Sequence, residues 1–301
     1  MTAMFVATSP YDVLDATLPQ ISSPLAGGGG GPGWGRLSLA LARRDGATHL
    51  RRLYQKTPLR AFLPRHECGE LAMVAIANVG GGLVGGDRAT VEIDLGAGAA
   101  ALVTTQAAEK VYRSLGPDCR IETRLGVGEG GWLEWCPQET ILFDRARLRR
   151  SLELDLASGG RAMLGETLVL GRLASGERTG RGLLHDRIEI HFGGHLRWRD
   201  VFRLAGDFGE VVDAPAGLAG ARAVTTFAYA GPDAPERLDL ARELLATAPV
   251  RAGVTVVNDV LVARLLGEDP LALRSALAQF WAHFRAAVAG LPPVLPRLWH
   301  L

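Results

Sequence analysis

Charge imbalance, paired cysteines and long apolar runs are missing from this sequence, and each absence removes a class of function. Thirty-three Lys and Arg stand against 32 Asp and Glu over 301 residues, for a net charge of +1. Taken whole, the chain has no electrostatic footprint for nucleic acid or for an anionic membrane. Cysteine is limited to Cys68, Cys119 and Cys136. An odd, sparse set without a Cys-x-x-Cys pair makes neither a disulfide framework nor a zinc knuckle, and reads as reduced, buried thiols of a cytoplasmic protein. No run of 18 apolar residues occurs, so no membrane-spanning helix is expected. The N-terminus lacks the basic start and apolar block of a signal peptide. Catalytic signatures are absent too: there is no Gly-x-x-x-x-Gly-Lys-Ser/Thr loop, no Gly-x-Ser-x-Gly elbow and no His-Glu-x-x-His helix.

What is present is a composition able to bury a large core, with 48% hydrophobic and 22% charged residues. Residues 1–35 read as a flexible leader, since the unbroken run Gly27 to Gly31 followed by Pro32, Gly33 and Gly35 has no face to bury. Order is expected from Arg36, where strict alternation to Arg43 meets an Asp45-Gly46 turn before His49 to Tyr54. From Leu71 to about Ala230 the chain reads as successive strands punctuated by glycine turns. Gly96, Gly126, Gly159 and Gly193 open these turns at steps of 30, 33 and 34 residues. Strand–turn–strand units of near-constant length predict a mainly β fold, a β-solenoid or stacked β-hairpin body, with an elongated β-sandwich as the alternative. Helices are expected late, at about 235–248 and 270–289, with β segments near Val250–Val257 and Val260–Leu266 between them. Residues 36–290 thus form one domain, and 291–301 a tail that either packs back or is held by a partner.

Four features invite chemistry. Gly126-Val-Gly-Glu-Gly-Gly131 fits Gly-x-Gly-x-x-Gly on paper, but Trp132-Leu-Glu-Trp135 continues as a strand, and the dinucleotide fingerprint requires a helix there. His185, His191 and His195 flank the Gly193-Gly194 turn and could bind a metal or be surface histidines. His66-Glu67-Cys68 has ligand types on alternating faces of a strand. The carboxylates say more. By strand parity Asp87 falls with Ala89, Val91 and Ile93, Glu139 with Ile141 and Phe143, and Glu166 with Ala162, Leu164, Leu168 and Leu170. Each acid is therefore expected to face inward, where an unpaired carboxylate is costly. Asp87 and Glu139 lie at strand starts, where turn N–H groups or Arg88, Arg145 and Arg147 can satisfy them. Glu166 is mid-strand and points to a polar channel.

Four ordered blocks carry a resemblance. They are Asn78-Val-Gly-Gly-Gly-Leu-Val-Gly85-Gly86-Asp87-Arg88, then Thr104 to Ser114 with Lys110, Tyr112 and Arg113, then Trp135 to Asp144 with Gln138, Glu139 and Thr140, and the Glu166 strand ending Leu170-Gly-Arg172. With the terminal Pro296-Arg-Leu-Trp299 they make the chain similar to the UreD (UreH) family of urease accessory proteins. That resemblance implies a non-catalytic, cytoplasmic chaperone with a β-solenoid-like body and helices near its C-terminus. It implies UreF, the GTPase UreG and urease apoprotein as partners, with no nucleic acid or membrane. Nickel would be in transit through an internal tunnel, with no cofactor permanently bound. On this reading Asp87, Glu139 and Glu166 are candidates for the nickel path. Two residues depart from the family pattern: Glu109 replaces a small or hydroxyl residue before Lys110 and is a further, weaker metal candidate, and Cys136 replaces a leucine. Two other functions fit the residues without the resemblance. One is a metal-dependent hydrolase using the acids and the His185–His195 hairpin; the other is a β-solenoid binding protein unrelated to urease.

Overall fold

A computed structural model describes residues 34–64, 70–177 and 180–300. The leader up to residue 33 and the His66-Glu67-Cys68 triplet lie outside the described residues. The first described element is a hairpin of β1 (Trp34–Arg44) and β2 (Ala47–Lys56), turning at Asp45-Gly46 with both residues at positive φ. It begins two residues ahead of the expected start. After β3 (Leu59–Phe62) and β4 (Ala72–Asn78) the chain winds into coils. The first comprises β5 (Arg88–Leu95), β6 (Ala100–Thr105) and β7 (Glu109–Val111). The second comprises β8 (Cys119–Val127), β9 (Trp132–Trp135) and β10 (Thr140–Leu142). A third takes β11 (Arg147–Leu156) into β12 (Arg161–Leu170). β13 (Arg181–Phe192) starts a fourth.

Two sheets result. The front sheet has the order β14-β13-β11-β8-β5-β1-β2, with β14 spanning His195–Asp207, and its strands β1, β5, β8, β11 and β13 are parallel. In the back sheet β4, β6, β9 and β12 are parallel, and β10 pairs in parallel with β12 and β7. Parallel neighbours one coil apart in both sheets make the body a β-solenoid, not a sandwich of antiparallel hairpins. The turns after Gly96, Gly126 and Ser158 carry the chain from front to back and are tied to one another, Gly98 N–H donating to Glu129 O at 2.8 Å and Gly130 N–H to Ser158 O at 3.1 Å. Their crowding explains a glycine: a Cβ on Gly128 would stand 2.7 Å from Ala97 N.

The fourth glycine turn differs from the other three. Gly193 and Gly194, at φ 58° and 79°, fold β14 back antiparallel on β13 within the front sheet. Two consecutive positive-φ residues make the tight two-residue hairpin, whereas Gly98, Gly130 and Gly159 each stand as single left-handed residues in wider turns. After β14 comes α1 (Gly209–Asp213), and then β15 (Ala223–Ala230) joins the back sheet beside β12. α2 (Leu238–Leu245), preceded by a 3₁₀ turn, is shorter than expected. β16 (Arg251–Val257) and β17 (Val260–Gly267) extend the back sheet before α3 (Pro270–Ala289). α3 has the expected ends: the Asp269 side chain accepts from Leu271 N–H at 3.0 Å, and Gly290 stops the helix at φ 65°.

One core fills the space between the sheets, with Leu39, Val74, Ile93, Leu125, Leu154 and Ile190 among its members. A second lies between the back sheet and the helices, where Phe227 meets Phe280, Trp281 and Phe284 edge-on at 4.9 to 5.7 Å. The back sheet is therefore buried on both faces, which is why every residue of β15 is buried and β12 reads as a continuous run. The tail packs back on the body. Trp299 is buried, its Nε1–H donates to Cys136 O at 3.1 Å, and the Arg274 guanidinium lies 4.9 Å from its ring centre.

Candidate functional site

At the end of the solenoid opposite the glycine turns, back-sheet strands finish and front-sheet strands begin. The returns between them, residues 79–87, 106–118 and 136–146, line this end. Between the sheets here lies a cavity of about 260 Å³, bordered by Asn78, Glu109, Thr123, Trp135, Arg150 and Glu166 among others. Its walls come from the start of β5, β8 and β11 and the end of β4, β6, β9 and β12. It is a by-product of winding, because inter-sheet space is filled only as far as the side chains of each coil reach.

An ionic centre closes the inner end of the cavity. Arg150 on β11 donates Nε–H and Nη2–H to the two oxygens of Asp186 on β13, at 2.8 and 2.6 Å, and Nη1–H to Thr140 Oγ1 on β10 at 3.1 Å. The same Nη1 also pairs with Glu166 Oε2. Trp135 Nε1–H donates to the other Glu166 oxygen at 2.7 Å. All five side chains are buried. Burial pushes the Glu166 carboxyl above its ordinary value; Arg150 opposes this and the neighbouring Asp186 adds to it. Arg150 itself is held firmly charged, because its two carboxylates outweigh the desolvation that burial imposes. One guanidinium for two acids leaves the centre with a formal excess of one negative charge.

Glu109 stands nearer the cavity's edge, at the start of β7. Asn78 Nδ2–H donates to both its oxygens, each at 3.1 Å, and Lys110 N–H donates to Oε1 at 3.2 Å. Burial nevertheless raises its pKa from 4.5 to about 7, with a smaller push from Asp87. It can exchange a proton near neutral pH.

The other two predicted acids are not on this cavity wall. Asp87 is half-buried, and its Oδ2 accepts from Val84 N–H at 2.8 Å, closing the turn before β5. Glu139 is buried as expected, but on the opposite face of the back sheet, where Arg274 of α3 lies 3.5 Å from Oε2. Its parity partner Ile141 packs against the helix layer, while Thr140 turns toward Arg150. In a sheet buried on both sides, apolar neighbours mark a residue as interior without saying which interior. The arginines expected to serve these acids go elsewhere: Arg145 pairs with Asp144, Arg147 with Asp118, and Arg88 lies over the Trp34 ring.

The family model described as UreD urease accessory protein matches residues 33–300. The chain belongs to the UreD family. The urease accessory protein UreD of Magnetococcus marinus is 40% identical over 291 residues, covering 95% of this chain and 99% of that relative. Those of Xanthobacter autotrophicus and Azorhizobium caulinodans are 43% and 38% identical, covering 88% and 89% of this chain and 89% and 96% of theirs.

The first three UreD blocks fall on the returns, gathered at the cavity end, and the fourth is β12, which brings Glu166 to the cavity wall. Gly85 lets two returns touch, for a Cβ there would meet Ser114 Oγ at 2.2 Å. Gly86 takes φ 94°. Tyr112 O–H donates to Gly81 O at 3.1 Å, and its ring sits edge-on to Phe143 at 4.8 Å. Gln138 Nε2–H donates to Leu298 O at 3.2 Å, fastening the tail to the cavity wall. Asp144 accepts from the N–H groups of Gly180 and Arg181 at 3.0 and 3.2 Å. Lys110 and Arg113 are exposed. Cys119 and Cys136 are free and buried, and burial lifts the Cys119 thiol to about 12.

In this UreD chain His191 and His195 both lie at the hairpin tip, each against a turn carbonyl, their Nδ1 atoms 3.5 and 3.0 Å from Gly194 O and Gly193 O. His185 lies six residues back along β13, roughly 20 Å away, so the three do not converge. Among the described residues, no three His, Cys, Asp or Glu side chains gather as a metal cage. Sequence reasoning missed Arg150, Asp186 and a second buried pair, Glu134 with Arg285 at 2.9 Å, which Trp132 and Trp281 also donate to. Strand parity could have found the first two. Arg150 falls with Leu148 and Leu152, and Asp186 with Leu184 and Ile188, all buried.

Proposed function

We propose that this chain is a non-catalytic scaffold and nickel conduit of urease maturation, acting in the cytoplasm with UreF and the GTPase UreG on urease apoprotein. Membership of the UreD family supports the maturation role. The observation that carries the conduit is the inter-sheet cavity with Glu109 and Glu166 on its wall. Nickel accepts oxygen and nitrogen ligands, and a path for it must bind weakly enough to release. Glu109 suits this: it is held by a neutral amide and titrates near 7, so a dication can displace its proton. Glu166, already paired with Arg150, contributes negative potential more than a ligand bond. No helix among the described residues is long and apolar enough to cross a membrane.

Activation of apo-urease by the reconstituted assembly tests this reading. Glu109→Ala is expected to leave assembly on gel filtration intact and to slow activation by about tenfold at limiting nickel, on the order of one lost charged contact, with recovery at excess metal. Equal rates at every nickel concentration would remove the conduit. Failure of the wild-type chain to co-purify with UreF and urease would remove the scaffold.

A further inference from the structure

The outer face of the front sheet carries its charge in rows. Arg88, Arg120, Arg149, His185 and Arg203 are direct cross-strand partners on β5, β8, β11, β13 and β14. Trp34 on β1 ends the row, with the Arg88 guanidinium 4.7 Å from its ring centre. All four arginines are exposed. Farther along the same strands the row Glu92, Arg124, Glu153, Glu189 and Arg199 mixes signs. There the sheet satisfies itself, as where Arg199 meets Glu189 at 2.5 Å. Like charges placed directly opposite one another are unfavourable, and the basic row is not relieved in this way. Arg149 shares Asp118 with Arg147, while Arg88, Arg120 and Arg203 make no ion pair among the described residues.

We propose that this basic row is a docking surface for an acidic, amphipathic helix of a partner protein. Adjacent strands are about 4.8 Å apart, so the five residues span about 19 Å. Carboxylates three and four residues apart on a helix recur every 5 to 6 Å or so and stay in step with such a row. Same-face side chains of an extended strand recur at about 6.7 Å and drift out of step. A broad polyanion such as a DNA duplex would meet Glu92, Glu122 and Glu153 in the adjoining rows. Apolar contacts are available at the same end of the molecule. Val84 and Leu115, 48% and 95% exposed, tip two neighbouring returns joined by Gly86 N–H to Asp118 O.

Fluorescence anisotropy with the full chain tests the proposal without urease or nickel. The probe is a labelled helical peptide of about 18 residues with glutamates on one face, in about 50 mM salt. Its comparisons are a peptide of the same composition with scattered glutamates and a DNA duplex. The striped peptide is expected to bind about fivefold or more tighter than the scattered one. Arg120→Glu with Arg203→Glu should weaken it about 20-fold or more, and the milder Arg120→Gln with Arg203→Gln about fivefold. Arg242→Glu, on α2 behind the back sheet, should change it less than about twofold. Far-UV circular dichroism confirms that each variant folds. The proposal is overturned if the wild-type chain does not bind the striped peptide, if scattered and striped peptides bind alike, if Arg242→Glu costs as much as the row variants, or if the duplex binds more tightly than the peptide.

Discussion

Arg150 is the residue on which the inner end of the cavity depends. Without it two buried carboxylates face each other uncompensated, so Arg150→Met is expected to cost about 3 to 5 kcal/mol at pH 8. The loss should shrink at pH 5, because the Glu166 carboxyl, which burial already pushes upward, can then escape charge by protonation; urea unfolding at the two pH values measures it. Glu109 gives a second pH dependence of known sign. Its folded pKa of about 7 lies above the ordinary 4.5. Between those values the fold holds a proton that the unfolded chain has released, so stability falls as pH rises through the window. Glu109→Gln, which cannot ionise, should be up to about 3 kcal/mol more stable than wild type at pH 8, with the difference vanishing below the ordinary value, at about pH 4. A variant with the wild-type pH profile would mean that Glu109 ionises freely in the fold. Parity placed Glu166 correctly because its strand is long and alternation fixes the phase. It could not place Glu139, which lies between Pro137 and the three-residue β10, in a return where alternation fixes no phase and both faces of the sheet are covered.

Among the elements, α3 was the most legible, since a capping Asp, a proline, one apolar stripe and a terminal glycine agree on its bounds. What the stripe meets was not legible, because contact between distant segments leaves no periodic trace in either. Gly165 on β12 makes the docking possible: a Cβ there would stand 2.8 Å from Trp281 Cζ3. Gly165→Val should therefore push Trp281 out, break its 2.7 Å bond to Glu134, and cost about 3 kcal/mol. Thermal melting and the near-ultraviolet dichroism of the tryptophans report it. The Gly193-Gly194 turn shows the converse limit. Its spacing matched the other three, yet two adjacent left-handed glycines reverse the chain inside one sheet where a single one lets it cross.

On the scale of the whole molecule, protection should follow layering. β9, β12 and β15 are central in the back sheet and covered on both faces, whereas β2, β14 and β16 are edges. Native-state hydrogen exchange is expected to open β2, β14 and β16 first and β12 last. Slowest exchange in an edge strand would contradict the two-core description. The near-constant glycine step exposed the winding in the sequence because every coil repeats one backbone problem. The cavity had no such signature, being defined by what side chains from several coils leave unfilled.

Winding also sets a ruler. Each coil adds one strand spacing, about 4.8 Å, to both walls at once, so the hollow between them can grow or shrink only in whole rungs. A chain that gained or lost a single coil, cut at equivalent glycines, would keep its cross-section and change its reach by that one increment.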